Sequence, residues 1–187
     1  MNAPFIKLIE TDQNWNDVAV EPENLGCLIE IGDWLRFSET LMNEWGLSKM
    51  IKPGYRALFY GENGTGKTLA AALLGKDAGL DVYRIDLSMV LSEYIGETEK
   101  QLAGIFDEAA TKKSILFFDE AEALFGKRTD VKDAHDRYAN QEISYLLQRI
   151  EDYPGVVILA TNMKGNIDDA FIRRFQSVIH FRIPKVE

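Results

Sequence analysis

Residues 61–68 read Gly61-Glu62-Asn63-Gly64-Thr65-Gly66-Lys67-Thr68 and lie between an apolar run, 57–60, and a helix-forming run, 69–74. This stretch has the pattern G-x-x-x-x-G-K-[ST], which binds phosphate when a strand precedes it and a helix follows it. The glycines let backbone N–H groups approach phosphate oxygens, and the N-terminus of the following helix favours an anion. We therefore predict that Lys67 contacts the β- and γ-phosphates of a nucleotide and that Thr68 ligates Mg²⁺. The alternative is a glycine-rich turn that binds nothing.

The composition is that of a single globular domain. The chain has 187 residues, of which 46% are hydrophobic and 27% are charged, and this length allows a substantial core. The formal net charge of −9 disfavours binding to nucleic acid, because proteins that bind a phosphate backbone usually carry a basic surface. The single cysteine, Cys27, cannot form an internal disulfide, and residues 1–5 lack the regions of a signal peptide. Since no apolar run approaches the ~20 residues that span a bilayer, we expect a cytoplasmic protein without a membrane segment.

Apolar runs that alternate with amphipathic segments indicate an α/β fold. Predicted strands at 57–60, 82–87, 115–118, 156–160 and 177–183 alternate with predicted helices at 67–78, 98–110, 138–151 and 168–173. Short, continuously apolar strands of this kind form a parallel sheet that is covered by helices on both faces. A further helix is predicted over 25–46, which Gly32 could interrupt. Residues 1–24 show little periodicity and are interpreted as an irregular arm that Trp15 and Val18 anchor to the domain.

Polar residues follow two of the predicted strands directly. Asp119 and Glu120 come after 115–118, and Asn162 comes two residues after 156–160. In open α/β sheets, ligands bind at the carboxyl ends of the strands, which is the edge that carries residues 61–68. We predict that Asp119 holds Mg²⁺ through water, that Glu120 accepts a proton from the attacking water, and that Asn162 orients this water beside the γ-phosphate. Outside such a context, acids at a strand end are often only solvated, and an asparagine there is usually a turn residue.

Two adjacent arginines, Arg173 and Arg174, close the last short helix. Such a pair more often forms a solvated face or interacts with the helix dipole. The more specific hypothesis is that these arginines reach the γ-phosphate bound by a neighbouring subunit, where a guanidinium can contribute about 10³–10⁵ in rate.

The order of these motifs resembles the ATPase module of the AAA family (ATPases associated with diverse cellular activities), and most of all its bacterial and phage-associated members. The resemblance covers nearly the whole chain, from about residue 14 to residue 184. The matching blocks are Asn14–Val18, Gly61–Thr68, Glu93–Lys100, Ile115–Glu120, Ala160–Asn162 and Ile167–Phe175. It implies the fold of P-loop NTPases, a three-layer αβα sandwich with a five-stranded parallel sheet. In these terms, residues 1–24 are an N-terminal arm or linker, and residues 25–187 are the large α/β subdomain.

The resemblance also implies roles for individual residues. The residues implied to act in ATP hydrolysis are Lys67, Glu120, Asn162, Arg173 and Arg174, and those implied to hold Mg²⁺ are Thr68 and Asp119. The implied nucleotide-binding residues are those of the phosphate loop and of a segment that borders the adenine: Asp17, Val18, Glu62, Asn63, Gly64, Thr65, Gly66, Lys67, Thr68 and Leu69. Tyr94 and Ile95 match a pore loop that grips an extended polypeptide; the alternative for Tyr94 is an ordinary core tyrosine at a helix entrance. The implied assembly is a homo-hexameric ring that acts on a protein substrate or adaptor.

Two departures from the family pattern matter. Glu62-Asn63 replaces the usual pair of prolines, which should loosen the loop without removing a ligand. The chain stops at residues 184–187, where family members continue into a helical lid, so we expect a fragment with weak nucleotide affinity and poor ring assembly. Three other functions stay open: a nucleotide-gated scaffold that threads no polypeptide, a small-molecule kinase, and a DNA-stimulated ATPase. The adjacent Asp119 and Glu120 favour water as the nucleophile and speak against the kinase.

Overall fold

The computed structural model describes residues 4–93, 98–124, 134–162 and 169–183. Within these residues the strands are β1 (Ile6–Ile9), β2 (Tyr55–Tyr60), β3 (Val82–Asp86), β4 (Ile115–Asp119), β5 (Val156–Thr161) and β6 (Ser177–His180). The α-helices are α1 (Pro22–Glu39), α2 (Lys67–Ala78), α3 (Leu87–Glu93), α4 (Thr98–Lys112), α5 (Ala134–Asp152) and α6 (Asp169–Ile172). A π-helical segment, Thr40–Glu44, extends α1, and short 3-10 turns are formed by Trp15–Asp17, Leu47–Lys49 and Ala121–Leu124. None of the described helices combines the length and the apolarity that a membrane crossing requires.

The strands form one sheet in the order β1-β3-β4-β5-β2-β6. The strands from β3 to β6 in that order all run parallel, which confirms the predicted α/β fold. The prediction of a five-stranded sheet misses β1, which pairs antiparallel with β3 and places Ile6 opposite Ile85. Among the residues that the structure describes, the sheet therefore has six strands and is mixed, with its one antiparallel strand at the edge.

Helices cover both faces of the sheet and form two separate cores. On one face, α1 and α2 pack with strand residues such as Phe59 and Phe117, and on the other, α4 and α5 pack with residues such as Leu58 and Phe118. All four of these strand side chains are 0% exposed. Because successive strand residues point to opposite faces, a continuous apolar run contributes side chains to both cores. The three-layer arrangement predicted from the sequence is therefore present.

The N-terminal arm contains more regular structure than predicted. Besides forming β1, it is fixed to helix α2 by Trp15, whose indole N–H donates to Asp77 Oδ2 at 2.7 Å. Val18 is 8% exposed and belongs to the core beneath α1 and α2, so both predicted anchors pack on the domain. Helix α1 begins at Pro22 and not near residue 25, because proline suits the first position of a helix. It continues through Gly32 without a break.

A helix that was not predicted, α3, follows β3 directly. The Asp86 carboxylate accepts the backbone N–H groups of Ser88 at 3.0 Å and of Met89 at 3.2 Å, and so caps the first turn of α3. The predicted strand over 82–87 accordingly ends one residue early, at Asp86. Tyr94 and Ile95, the predicted pore-loop residues, lie outside the described residues.

Gly61 lies where three strands meet at the carboxyl edge of the sheet. Its N–H donates to the Thr161 backbone oxygen at 3.2 Å, and the Phe181 N–H donates to the Tyr60 oxygen at 2.8 Å. A Cβ on Gly61 would lie 2.0 Å from the backbone oxygen of Phe181, and the φ of Gly61 is +144°. The close approach and the positive φ both require glycine at this junction.

Gly61→Ala is therefore expected to lower the free energy of unfolding by about 2–5 kcal/mol, because the methyl group meets backbone and the φ is strained. Gly79→Ala is the matched control, since Gly79 also has a positive φ (+65°) but faces open space. This control is expected to lose only about 1–2 kcal/mol. Urea unfolding followed by circular dichroism would measure both losses from the midpoints at constant m. Equal losses in the two variants would contradict the importance of the contact with Phe181.

Candidate functional site

Most of the predicted site residues converge at one edge of the sheet. Strands β4, β5 and β2 are neighbours, and they end at Asp119, Thr161 and Tyr60. Because the strands are parallel, the loops that follow them lie side by side at their carboxyl ends. The phosphate loop (residues 61–68), the pair 119–120 and Asn162 therefore share this edge, which we call the carboxyl edge.

The side chain of Lys67 forms three hydrogen bonds at the carboxyl edge. Its ammonium donates to the backbone oxygens of Gly61 at 2.6 Å and of Glu62 at 2.8 Å, and to Asn162 Oδ1 at 3.2 Å. The residue is 7% exposed. The contact with Asn162 joins the loop after β2 to the end of β5.

Burial and nearby carboxylates act on the pKa of Lys67 in opposite directions. Burial lowers the pKa of Lys67, and the carboxylates of Asp119, Glu122 and Glu120 act against that shift. Burial destabilises the charged form of this ammonium, and a further negative charge in contact with it would stabilise that form. Phosphate oxygens would supply such charge.

The phosphate loop presents its backbone towards solvent. Residues 62–64 are exposed, and Thr65 closes the loop by donating its hydroxyl to the Glu62 oxygen at 2.8 Å. Helix α2 follows Gly66, and no described side chain caps its N-terminus. The first N–H groups of a helix lack partners within the helix and, with the helix dipole, form a site for an anion. Thr68 and Leu69, in the first turn of α2, are half-buried.

The segment predicted to border the adenine lies next to this loop. The Val18 Cγ1 atom is 3.2 Å from the position that a Cβ on Gly66 would occupy. Asp17 is exposed, and its carboxylate accepts the Asn14 N–H at 2.8 Å, which closes the turn that brings Val18 to the loop.

Arg84 holds the carboxylate of Asp119, and the sequence analysis missed this arginine. Arg84 Nε lies 2.9 Å from Asp119 Oδ2, and the second guanidinium contact is 2.7 Å. The other oxygen, Oδ1, accepts the Glu120 N–H at 3.0 Å. The sequence feature that could have revealed this role is the position of Arg84 as a charged residue inside the apolar strand β3. This strand pairs with β4, which ends at Asp119.

Glu120 has both an unusual backbone and an unusual acidity. Its φ of +56° lies in the left-handed region that residues other than glycine seldom adopt. A hydrogen bond with Glu122, burial and the neighbouring carboxylates raise the pKa of Glu120 to about 7. Burial acts to raise the pKa of Glu122, but hydrogen bonds with its own backbone N–H, with Glu120 and with Thr161 lower it overall. In this pair, Glu120 is therefore the carboxyl that holds a proton more readily.

Glu122 is the second residue that the sequence analysis missed. It lies in the 3-10 turn after β4 and accepts the Thr161 hydroxyl at 2.8 Å. Its other oxygen lies 3.4 Å from Asn162 Nδ2. The sequence feature that could have revealed Glu122 as a site residue is its place as a third acid, two residues after Glu120, in the run Asp-Glu-Ala-Glu.

The arginine pair lies at the opposite edge of the sheet. Arg174 donates to the Glu151 carboxylate, and its guanidinium lies 5.8 Å from the centre of the Phe171 ring. Glu151 is near the end of α5, just before β5 begins, and Arg173 and Arg174 come just before β6, so all lie at the amino ends of the strands. The six residues of β2 separate the two edges by roughly 17 Å. Within one chain, these arginines are therefore too far away to reach Lys67.

Comparison with family models adds an independent finding. Residues 57–183 match the model of the family described as "ATPase family associated with various cellular activities (AAA)". The match extends from Ala57, the third residue of β2, to the end of the described residues, and so includes the carboxyl ends of β2, β4 and β5.

Curated relatives point to the same family. The chain is 31% identical over 185 residues to an uncharacterized AAA family ATPase, y4kL, of Sinorhizobium fredii, which covers 98% of this chain and 54% of that protein. It is 30% identical over 176 residues to the cell division cycle protein 48 homolog of Archaeoglobus fulgidus, covering 91% of this chain and 23% of that protein. The chain thus spans about half the length of the first relative and less of the second.

Solved structures show the same fold. The AAA domain of FIGL-1 in complex with ADP superposes with a TM-score of 0.73 at 22% identity, covering 98% of this chain and 60% of that chain.

Proposed function

Because the chain belongs to the AAA family of ATPases, we propose that it binds ATP with Mg²⁺ at the carboxyl edge and hydrolyses it. We further propose that several copies form a ring, of six subunits in the complete protein, that remodels or unfolds protein substrates. The observation that carries the proposal is the convergence of Lys67, Asn162 and the pair 119–120 at one edge, with Lys67 Nζ 3.2 Å from Asn162 Oδ1.

Binding of the triphosphate follows from the phosphate loop and Lys67. The exposed backbone of residues 62–64 and the N-terminus of α2 would donate N–H groups to phosphate oxygens. Lys67 would exchange its contacts with two backbone oxygens for contacts with the β- and γ-phosphates. Asp17 and Val18, beside Gly66, would border the adenine.

The residues present also fit Mg²⁺. Within the described residues, no three His, Cys, Asp or Glu side chains form a cluster that could hold a metal ion alone. Mg²⁺ is usually bound through one or two carboxylates together with water and substrate phosphates, and Asp119 with the Thr68 hydroxyl would supply ligands of this kind. When bound, Mg²⁺ neutralises charge on the phosphates. Arg84 orients Asp119 for this role through two contacts with Oδ2.

Glu120 is the proposed general base for the attack of water on the γ-phosphorus. A carboxyl whose pKa is raised to about 7 accepts a proton more readily than an ordinary glutamate does. Asn162, which contacts Lys67, would orient the water and sense the γ-phosphate.

The position of the arginine pair supports assembly. Arg173 and Arg174 cannot reach the phosphate loop of their own chain, so a catalytic role requires a second subunit whose carboxyl edge faces them. A closed ring satisfies this requirement for every subunit at once.

Lys67→Ala tests nucleotide binding. Loss of charge-assisted hydrogen bonds to phosphate is expected to weaken ATP binding by about 10- to 100-fold, as measured by titration with a fluorescent ATP analogue. Lys52→Ala is the control, because Lys52 forms an exposed ion pair with Asp152 away from the site. Equal affinity in the Lys67→Ala variant and the unsubstituted protein would refute the proposed site.

The same preparation separates the alternative functions. Phosphate release without an added acceptor excludes a small-molecule kinase. Stimulation of turnover by DNA would favour a DNA-dependent ATPase over a machine that acts on protein. Full biological activity with normal hydrolysis in Tyr94→Ala would favour a nucleotide-gated scaffold over a machine that threads polypeptide.

A further inference from the structure

A chain of contacts links the phosphate-binding lysine to the proposed general base through Glu122. It runs from Lys67 Nζ to Asn162 Oδ1 at 3.2 Å, and from Asn162 Nδ2 to Glu122 Oε1 at 3.4 Å. Glu120, two residues before Glu122 in the same segment, is close enough for Glu122 to raise its pKa. These four side chains come from the first residue of α2, the residue after β5 and the segment after β4, so the contacts join elements that are separate in sequence.

Glu122 contacts two residues at the end of β5. One of its carboxylate oxygens accepts the Thr161 hydroxyl at 2.8 Å, and the other faces Asn162. Thr161 is 1% exposed and is the last residue of β5, so it gives Glu122 a rigid support. A carboxylate supported in this way can fix two neighbours at once, because each of its oxygens accepts more than one hydrogen bond.

We propose that Glu122 is a positioning residue that couples the γ-phosphate site to the general base by holding Asn162 and Glu120 in one hydrogen-bonded unit. A γ-phosphate that draws Lys67 and Asn162 towards it would weaken the contact between Asn162 and Glu122, and Glu122 would then change its contact with Glu120. Glu122 itself need not touch the nucleotide. The inference rests on the proposed function, since it concerns regulation of the same site.

Glu122→Ala is expected to lower kcat for ATP hydrolysis by about 10- to 100-fold, the usual effect of removing a supporting partner in an active site, with the Kd for ADP unchanged within about threefold. Thr161→Val, which keeps the size of the buried side chain but removes the hydroxyl, is expected to lower kcat in the same direction by a smaller factor. Glu44→Ala is the control, because Glu44 is exposed and its neighbours Leu41 and Trp45 line a cavity with Tyr55, at the end of β2 opposite to the phosphate loop.

A double-mutant comparison separates positioning from a general loss of structure. If Glu122 acts through Asn162, the Glu122→Ala/Asn162→Ala protein should be about as slow as the slower single variant. Multiplicative effects on kcat, or an unchanged kcat in Glu122→Ala, would overturn the inference.

A binding measurement keeps the test independent of turnover. The ratio of the Kd for ADP to that for a non-hydrolysable ATP analogue reports how strongly the γ-phosphate is sensed. Glu122→Ala should move this ratio towards that of Asn162→Ala, while Glu44→Ala should leave it unchanged; an unchanged ratio in Glu122→Ala would overturn the inference. Lack of both hydrolysis and nucleotide binding in the unsubstituted protein would instead refute the proposed function.

Discussion

Glu120→Gln is expected to slow ATP hydrolysis by about 10²–10⁴-fold, the range that a positioned general base contributes, while ATP still binds. The amide of glutamine has nearly the size of the carboxyl and can keep a hydrogen bond with Glu122, but it cannot accept a proton from water. The backbone strain at φ +56° is the same in both proteins, so the fold should not respond to the change. Phosphate release measures the rate, and gel filtration with labelled ATP measures the nucleotide that stays bound.

Glu44→Gln makes the same chemical change on an exposed helical position and should hydrolyse ATP at the normal rate. Unchanged turnover in Glu120→Gln would refute the assignment of the base. A loss of both turnover and ATP binding would mean that Glu120 supports the site and does not serve as the base.

Arg173→Ala and Arg174→Ala are expected to reduce hydrolysis by about 10³–10⁵-fold, the contribution of an arginine that stabilises the transferring phosphoryl group, without preventing nucleotide binding. The reason is the roughly 17 Å between the two edges of the sheet, which makes the arginines available only to a neighbour. Mixing either variant with Lys67→Ala subunits should restore part of the activity. In such a mixture, intact phosphate loops from one variant meet intact arginines from the other.

Glu151→Gln is the matched control for Arg174. It weakens the ion pair between Glu151 and Arg174 but leaves the guanidinium in place. An exposed pair of this kind contributes only about 0–1 kcal/mol to stability, so Glu151→Gln should hydrolyse ATP nearly normally. If Glu151→Gln loses as much activity as Arg174→Ala, or if the mixed subunits show no rescue, action across a subunit interface is refuted.

The parts of the fold that could be predicted are those whose sequence signals are local. Residues 57–60 of β2, 115–118 of β4 and 156–160 of β5 are continuous apolar runs, and all of these residues except Tyr60 are buried, whichever face they point to. The phosphate loop is recognised from eight adjacent residues, 61–68, without reference to any distant partner. These signals predicted which strand ends would meet, and the contact between Lys67 and Asn162 joins two of them.

The parts that could not be predicted depend on distant partners. Strand β1 has four residues, two of them exposed and none fully buried, and it forms because it pairs with the edge of β3, more than seventy residues away. Helix α3 is an exception, because its cap, Asp86, is a local signal that was included in the predicted strand over 82–87. Glu122 and Arg84 carry no motif, because their roles arise from hydrogen bonds to Thr161 and Asp119 that only the folded sheet brings together.

The separation of the arginine pair from the carboxyl edge has a consequence for how such a protein responds to its own abundance. If the arginines act across a subunit interface, as proposed, a lone chain lacks the groups that complete hydrolysis, and the rate per molecule should rise with protein concentration by mass action. Dilution would then leave monomers that bind nucleotide without hydrolysing it. Any factor that raises the local concentration of the chain would increase the rate of hydrolysis.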